Sequence, residues 1–325
     1  MRIWFTGEDV ARTRLADGPS PLIETVLSSH RPCCPAQGAV VLGPWQRRTS
    51  GLRRGLVETL CARPKSFPDF VFRPPHGGPM PEYLDDLAAI PRSTIEASVV
   101  ELARDGAVTR ALGRLAAGDR ATMGTLIGEL DAYHDAAIAP LWPGLVRRCR
   151  ADLARRAALV ASGGIDGLLA NLHPTTSWSY PVLTTPASCA DDVELGGAGV
   201  LLVPSVFVWP HVLVVYDVPQ PMIVYPVADI FGIVDPAAAD DEPVAALIGR
   251  TRAALLSTVE AVSGTASTTD LARRLGISVA LASHHLRVLR DAGLLTTTRE
   301  GRTTRHALTP LAGQLLVRPL RGSSG

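Results

Sequence analysis

The sequence has 325 residues, which is enough for two or three domains that each bury a hydrophobic core. Five cysteines, an odd number in a chain of this length, exclude a disulfide framework. No apolar run approaches the roughly 18 residues of a membrane-spanning helix, and the chain does not open on a basic segment followed by an apolar one. We therefore expect a soluble, cytoplasmic protein that does not contact a membrane.

Charge is distributed unevenly along the chain. The whole sequence has 32 basic and 31 acidic residues, a formal net charge of +1. Residues 251–325 contain ten arginines and four acidic residues, a net charge of +6, which leaves −5 for residues 1–250. A basic module on an acidic body is typical of a protein that binds a polyanion at one end, although chance clustering of arginine gives the same pattern.

The first 172 residues predict mainly helices. RIWF predicts a short strand near the N-terminus, and SPLIETVLSSH predicts a helix that begins at a Ser-Pro pair. The segment SFPDFVFRPPHGGPMPEY is rich in proline and glycine and predicts an ordered loop or connector. From Ser93 to about Leu172, apolar residues three and four positions apart predict a series of helices.

Residues 173–230 predict strands instead. GVLLVPSVFVW, HVLVVYDV and PMIVYPV are short runs rich in β-branched and aromatic residues, and they predict a small antiparallel meander. The following segment VDPAAADDEP, residues 234–243, is typical of a linker or of the lead-in to a helix. We therefore place a mixed α/β domain for regulation or dimerisation at residues 1–240 and a second domain at residues 241–325.

Three groups of side chains in residues 1–240 are of types that bind ligands, and each has a simpler interpretation. HRPCC contains soft-metal ligands, but adjacent cysteines seldom bind one ion together, so a structural loop is favoured. Three histidines would have to converge to form a metal or catalytic site: His134, His173 and His211. Five aromatic residues either line an apolar pocket or form the core around the strands: Trp142, Trp178, Trp209, Tyr180 and Phe207.

The segment STTDLARRLGISVALASHHLRVLRDAGLL predicts two short helices joined by a turn, the helix-turn-helix pattern. Ser267 or Thr268 is expected to cap the first helix, and Gly276 is expected to end it. Ser278 is a natural N-cap for the second helix. The first helix is expected to pack through three residues: Leu271, Ala272 and Leu275.

The second helix separates its residues into two faces. Five residues at helical spacing are expected to pack inward: Ala282, His285, Leu286, Leu289 and Gly293. The opposite face is expected to enter a major groove of DNA, where arginine and histidine reach base edges or phosphates and serine contacts phosphates. The predicted DNA-binding residues on this helix are Ser278, Ala280, Leu281, Ser283, His284 and Arg287.

A hairpin and a last helix are predicted to follow. LLTTTREGRTTRHALTP predicts two threonine-rich strands around a Glu-Gly turn, and Thr309-Pro310 predicts the start of a helix. A hairpin beside the second helix would place its arginines against the minor groove or phosphates. The predicted DNA-binding residues here are Arg299, Arg302, Thr303 and Arg305.

The motifs LARRLGIS, SHHLRVLRDAGLL and EGR, within residues 245–316, resemble the winged helix-turn-helix of the ArsR family of bacterial transcriptional regulators. With VLGPWQRRTSGL, NLHPTTSW and PSVFVWPHV ahead of them, the chain resembles the long form of that family, whose N-terminal domain has no assigned activity. We expect an α+β fold that is mostly helical, with a C-terminal winged helix-turn-helix after a mixed helical domain that contains a small antiparallel β-meander.

The sequence departs from the family pattern in two ways. Leu281 and Ala282 stand where such helices often carry threonine and valine. The metal-sensing members hold thiolates in the helix before the turn, or histidine and carboxylate side chains in the last helix. Here TTDLARRL has neither cysteine nor histidine, and PLAGQLLVRPL has neither histidine nor carboxylate. We therefore expect no metal and no other cofactor.

The sequence thus predicts a DNA-binding transcriptional regulator, a repressor that binds a pseudo-palindromic operator in double-stranded DNA as a homodimer. Residues 1–240 would supply dimer contacts, bind a small-molecule effector, or both. No G-x-S-x-G, H-E-x-x-H or P-loop motif is present, and we expect no enzyme activity. Two alternatives remain open: an N-terminal enzyme or small-molecule-binding module with an appended winged helix, and a winged helix that binds only proteins.

Overall fold

The computed structural model describes residues 1–29, 45–46, 48–52, 55–60, 67–104, 109–186, 192–208, 212–216, 218–227, 243–262, 266–275, 277, 279–300 and 303–316. The chain divides into two compact units. The first unit comprises Met1–Cys33 and Thr49–Val227, and the second unit comprises Cys34–Arg48 and Ala228–Gly325. The predicted boundary between residues 240 and 241 lies outside the described residues.

The described part of the first unit is mainly helical. Its helices are α1 (Gly7–Arg12), α2 (Pro21–Ser29), α3 (Gly55–Leu60), α4 (Met80–Ala88), α5 (Arg92–Arg104), α6 (Arg110–Ala116), α7 (Arg120–Tyr133) and α8 (Trp142–Ala170). The helices predicted between Ser93 and Leu172 are therefore confirmed. A kink interrupts α8 at Gly164, whose φ of 63° lies in the left-handed region that glycine tolerates.

Local signals explain where α2 and α4 begin. The N–H of Ile23 donates to the side-chain oxygen of Ser20 at 3.3 Å, so the predicted Ser-Pro helix start is confirmed. The interpretation of SFPDFVFRPPHGGPMPEY as a connector is wrong at its end, because α4 begins at Met80. Pro81 lies in the first turn, where its missing N–H costs nothing, and the helix is stabilised by burying Tyr83 and Leu87.

The strands of the first unit are short. They are β1 (Arg2–Trp4), β2 (Arg14–Leu15), β3 (Ser177–Ser179), β4 (Val182–Thr184), β5 (Asp192–Glu194), β6 (Leu201–Ser205), β7 (Leu213–Val215) and β8 (Met222–Pro226). The predicted strand in RIWF is confirmed as β1. Strands β6 and β8 are buried along their whole length, as their continuous apolar sequences indicate.

The strands form two four-stranded sheets, in the orders β3-β4-β1-β5 and β2-β6-β8-β7. The β1–β4, β3–β4 and β7–β8 pairs are antiparallel, as in the predicted meander. The β1–β5, β2–β6 and β6–β8 pairs are parallel, which the meander did not include. The predicted sheet was thus incomplete, since β1 and β2 come from the N-terminus and each pairs with a strand more than 170 residues away in sequence.

The core of the first unit joins the two sheets to the end of α8. Ile3 of β1, Leu202 of β6 and Ile223 of β8 are fully buried in one cluster with Leu168 and Leu169. Because strands of two to five residues bury little apolar area alone, packing against α8 stabilises them. This arrangement confirms the mostly helical α+β class.

The second unit contains α9 (Pro243–Ile248), α10 (Arg250–Ala261), α11 (Thr268–Leu275), α12 (Val279–Asp291), β9 (Leu295–Glu300), β10 (Thr303–Leu308) and α13 (Pro310–Leu316). Strands β9 and β10 pair antiparallel, and α13 begins at Pro310, as predicted. Leu255 and Leu256 of α10, Leu271 of α11 and Leu286 of α12 are almost fully buried. Among the described residues of the whole chain, no helix has the length and apolar character needed to cross a membrane.

Candidate nucleic-acid interface

Helix α11 begins at a cap that the sequence predicts. The Asp270 N–H donates to Ser267 Oγ at 3.1 Å, and the Ser267 hydroxyl donates to Asp270 Oδ2 at 2.8 Å. The cap is therefore Ser267 rather than Thr268. The hydrogen bond from Ser267 and the nearby Arg273 guanidinium hold the pKa of Asp270 below its ordinary value, despite partial burial.

The turn after α11 is closed by its backbone. The Ile277 N–H donates to the Ala272 carbonyl at 3.1 Å, a bond across five residues that is typical of a helix C-terminus. Leu271, Ala272 and Leu275 are buried, so the predicted packing face of α11 is confirmed. Two residues to which the sequence assigned roles here, Gly276 and Ser278, lie outside the described residues.

The predicted packing face of α12 is partly confirmed. Ala282, Leu286 and Leu289 are buried. His285 is only half-buried, and among the described residues its ring Nδ1 is buried without a hydrogen-bond partner. Gly293 does not pack inward as predicted. It is exposed and has a φ of 72°, and it ends the helix where the Leu294 N–H donates to the Leu289 carbonyl at 2.9 Å.

The opposite face of α12 is exposed at four of the predicted DNA-binding residues: Ala280, Ser283, His284 and Arg287. Leu281, which is predicted on the same face, is half-buried and therefore less exposed than these four residues. The exposed face therefore combines one cation, one imidazole and one hydroxyl near the N-terminal half of the helix.

The two histidines of SHHLRVLRDAGLL have different surroundings. His284 is exposed, whereas burial, followed by the charge of Arg252, lowers the pKa of the half-buried His285. Their rings meet edge to face, with centroids 5.3 Å apart. Within the described residues no group of three or more histidine, cysteine or carboxylate side chains has a metal-binding arrangement.

The β9–β10 hairpin lies next in the chain. Its register pairs Thr304 with Arg299 and Arg305 with Thr298. Because side chains alternate between faces along a strand, Arg299 and Arg305 lie on opposite faces of the hairpin. Arg299 is exposed and Arg305 is half-buried. Two further predicted contacts, Arg302 and the side chain of Thr303, lie outside the described residues.

His306, which the sequence analysis did not single out, connects the hairpin to α11. Its ring Nε2 lies 2.9 Å from the Thr268 hydroxyl, and its Nδ1 lies 3.1 Å from the Thr297 hydroxyl. The His306 N–H also donates to the Ala266 carbonyl at 3.3 Å, and a β-bridge joins Ser267 to Arg305. His306 is 5% exposed, and burial followed by the charge of Arg290 lowers its pKa. The hairpin is therefore fixed to the start of α11 by polar contacts.

The two candidate histidines that the structure describes in the first unit bond different residues. His134 is buried and shares a 3.0 Å hydrogen bond with Thr25 Oγ1, while His173 bonds Thr175 Oγ1 at 2.8 Å. Burial lowers the pKa of His134. Four other candidates lie outside the described residues: His30, Cys33, Cys34 and His211.

The aromatic residues predicted to form a pocket or a core differ in burial, and the rings of Trp178 and Tyr180 meet edge to face with centroids 6.2 Å apart. Phe207 is buried, and Trp178 packs edge-on against Phe5 at 5.1 Å and donates through Nε1 to Asp166 at 2.6 Å. Trp142 is half-buried, Tyr180 is 60% exposed, and Trp209 lies outside the described residues. The core interpretation suits Phe207, and Trp178 lies at the edge of the core.

A family model described as a helix-turn-helix domain matches residues 248–298, which contain α10, α11, α12 and the start of β9. No curated protein and no solved structure matches the chain. Within the matched residues the structure shows a capped helix α11, a closed turn after it and an exposed polar face on α12. Match and geometry together support a DNA-binding regulator of the helix-turn-helix type.

Proposed function

We propose that the protein is a transcriptional regulator of the ArsR type whose second unit binds double-stranded DNA as a winged helix-turn-helix. Helix α12 is the recognition helix and enters the major groove, and the β9–β10 hairpin is the wing. The observation that carries the proposal is the exposed face of α12 that holds Ser283, His284 and Arg287. Its matching buried face fixes the helix against α11 and α10.

The exposed groups divide by the contacts that they suit. The Arg287 guanidinium can donate two hydrogen bonds to a guanine edge or bind a phosphate, whereas Ser283 is short and suits a phosphate. Arg299 on the wing suits phosphates beside the groove or the minor groove. The net charge of +6 on residues 251–325 adds attraction that does not depend on base sequence.

The regulator acts in this proposal as a homodimer on a pseudo-palindromic operator, where it represses by occupying the promoter. Two recognition helices related by a two-fold axis would contact half-sites about 34–36 Å apart, one turn of DNA. The first unit supplies dimer contacts or binds a small-molecule effector that favours one dimer geometry. No catalytic activity is part of this proposal.

The test is duplex binding by the full chain, measured by fluorescence anisotropy with DNA from the promoter of its own operon and with unrelated DNA. We expect Arg287→Ala to weaken binding to the promoter DNA by about tenfold, the cost of about 1–3 kcal/mol for losing a base-edge or phosphate contact. Arg120→Ala is the matched control, because Arg120 is an exposed arginine at the start of α7 in the first unit.

Two outcomes would contradict the proposal. Equal binding by the wild type and Arg287→Ala would remove α12 as the recognition helix. Failure of the wild type to bind any duplex at low salt would favour a winged helix that contacts only proteins. A footprint with two protected half-sites one turn apart would support the dimer, and a single protected half-site would count against it.

A further inference from the structure

A polar cleft lies between α12 and the β9–β10 hairpin. Its volume is about 150 Å³. Pockets for drug-sized ligands span about 300–1,000 Å³, so this cleft suits a single small group. Its lining side chains come from α11, α12, β9 and β10, and they are Thr268, Ser283, Leu286, Arg287, Arg290, Thr297, Thr304 and His306.

The lining has the composition of an oxyanion site. Arg287 and Arg290 are three residues apart on α12 and therefore lie on neighbouring positions of one helix face. Four of the other lining side chains carry hydroxyl groups, which donate hydrogen bonds to phosphate oxygens. No carboxylate is among the lining side chains in the part of the chain that the structure describes. The cleft thus combines two cations with several neutral donors.

His306 lines the cleft and affects which hydrogen-bond donors are available there. Burial and the Arg290 charge lower its pKa, so the ring is neutral at pH 7 and has one N–H. One ring nitrogen therefore donates to a threonine hydroxyl, and the other accepts from the second threonine. The threonine that accepts from the ring keeps its own O–H, which can donate to a ligand in the cleft.

Arg290 already has a partner outside the cleft. Its guanidinium donates to Asp291 Oδ1 at 2.7 and 3.0 Å, and both side chains are about half exposed. Exposed ion pairs of this kind contribute little to stability. The pair therefore does not prevent Arg290 from donating to an anion beside Arg287.

We propose that this cleft binds one phosphate group, held by Arg287, Arg290 and the threonine hydroxyls. The identity of the phosphate rests on the proposed function: it is a backbone phosphate of duplex DNA, clamped where the recognition helix meets the wing. Arg290 and Thr304 thereby become binding residues that the sequence analysis did not identify, together with whichever of Thr268 and Thr297 accepts from the His306 ring. A clamped phosphate fixes the depth and register of α12 in the groove without reading a base.

The first experiment measures binding of inorganic phosphate to the full chain by isothermal titration calorimetry, with chloride at equal ionic strength as the reference. We expect Arg290→Gln to weaken phosphate binding about tenfold. Arg273→Gln is the matched control, because Arg273 of α11 does not line the cleft. The two arginines are otherwise alike: Arg273 is 53% exposed and paired with Asp270, and Arg290 is 49% exposed and paired with Asp291. Thr304→Val, which removes one hydroxyl from the lining, should weaken phosphate binding as well.

The second experiment identifies the source of the phosphate from the salt dependence of duplex binding. Losing one phosphate contact lowers the slope of log K against log salt by about 0.9. We expect this decrease for Arg290→Gln on every duplex sequence, and no decrease for Arg273→Gln. A lower slope in Arg290→Gln alone supports the proposal.

The remaining outcomes overturn the proposal in whole or in part. Equal phosphate binding by the wild type and Arg290→Gln would remove the site. If Arg290→Gln loses phosphate binding but keeps the salt slope of the wild type, the cleft binds a free anion and the contact with the DNA backbone is overturned. Duplex binding by the wild type would in that case still support the proposed function. Absence of duplex binding by the wild type would overturn the proposed function. If Arg290→Gln then still weakened the binding of inorganic phosphate, the cleft would be a site for free phosphate alone.

Discussion

The two units place their charged side chains in different surroundings. In the first unit, the side chains of Glu24, Asp152 and Arg156 are buried. Asp152 accepts a hydrogen bond from Arg156, and Glu24 accepts one from the Val206 N–H. In the second unit, Arg287 and Arg290 are exposed on α12. A buried charge must be satisfied inside the protein, because water no longer solvates it. An exposed charge keeps its capacity to bind another molecule, and this contrast assigns a structural role to the first group and a binding role to the second.

The buried charges of the first unit tie its elements together. Asp152 accepts from Arg156 Nε at 2.7 Å and from Arg155, and Arg156 Nη2 donates to the Leu172 carbonyl at 3.0 Å. The Arg156 guanidinium lies 4.0 Å from the centre of the Tyr225 ring on β8. The α8 helix is therefore held to the sheet by a cation whose charge Asp152 balances.

The largest effect on stability is expected from breaking the buried ion pair of Asp152 and Arg156. Asp152→Ala should destabilise the first unit by about 3–5 kcal/mol, because it leaves the Arg156 cation buried without its partner. Hydrogen–deuterium exchange of the full chain should show faster exchange in α8 peptides, with α12 peptides unchanged. Arg155→Gln is the control, since Arg155 bonds the same carboxylate from an exposed position. Equal increases in α8 exchange for Asp152→Ala and Arg155→Gln would contradict the claim that the buried Arg156 needs the Asp152 carboxylate.

A second effect concerns the pH dependence of the first unit. Glu24 is fully buried and accepts from Ser205 Oγ, from the Val206 N–H at 2.8 Å and from the Phe207 N–H at 3.1 Å. Burial raises its pKa to about 7 against the opposing effect of these hydrogen bonds. The folded pKa is above the unfolded value near 4.5, so this contribution to stability is complete below pH 4.5 and is lost as the pH rises through 7.

Urea unfolding of the wild type and of Glu24→Gln at pH 5 and pH 8 measures this dependence. At about 1.4 kcal/mol per pH unit, the wild type should lose up to about 3 kcal/mol more stability than the variant between these values. The comparison with the variant is needed because the lowered pKa of His134 acts in the opposite direction. Parallel pH profiles for the two proteins would show that Glu24 does not titrate in this range.

The smallest effect is expected on DNA affinity, from a change at the exposed charges of α12. Asp291→Asn removes the carboxylate beside Arg290 and should raise duplex affinity about two- to threefold, because an exposed pair is worth about 0–1 kcal/mol. Anisotropy titrations at two salt concentrations measure this change, and the gain should shrink at the higher salt. A loss of affinity would show that Asp291 positions Arg290 rather than competing for it.

The second unit could be predicted largely from its sequence because its signals are local. Ser267 lies three residues from Asp270 in a cap, and Leu286 and Leu289 repeat at helical spacing. Gly293 was placed incorrectly, since a residue at a helix end no longer follows the helical periodicity. His306 could not be found this way, because Thr268 contacts it from 38 residues away.

The sheets of the first unit could be predicted only in part, because strand pairing joins residues that are far apart in the sequence. The short runs of β-branched residues indicate strands, but their sequences do not encode which strand lies beside which. Arg2 pairs with Asp192 across 190 residues, through an ion pair at 2.7 Å and a parallel register. Glu24 of α2 likewise bonds Val206 and Phe207, which lie about 180 residues away and are brought to it only by the tertiary fold.

The most direct test of the account is hydrogen–deuterium exchange of the full chain with and without duplex DNA from its operon promoter. We expect slower exchange on DNA binding in peptides from residues 279–291 and 295–308, with peptides from residues 142–170 less affected. Arg290→Gln should reduce the protection at the hairpin. Protection confined to the first unit, or no protection in α12 while DNA is bound, would contradict the assignment of the exposed face of α12 as the DNA-binding surface.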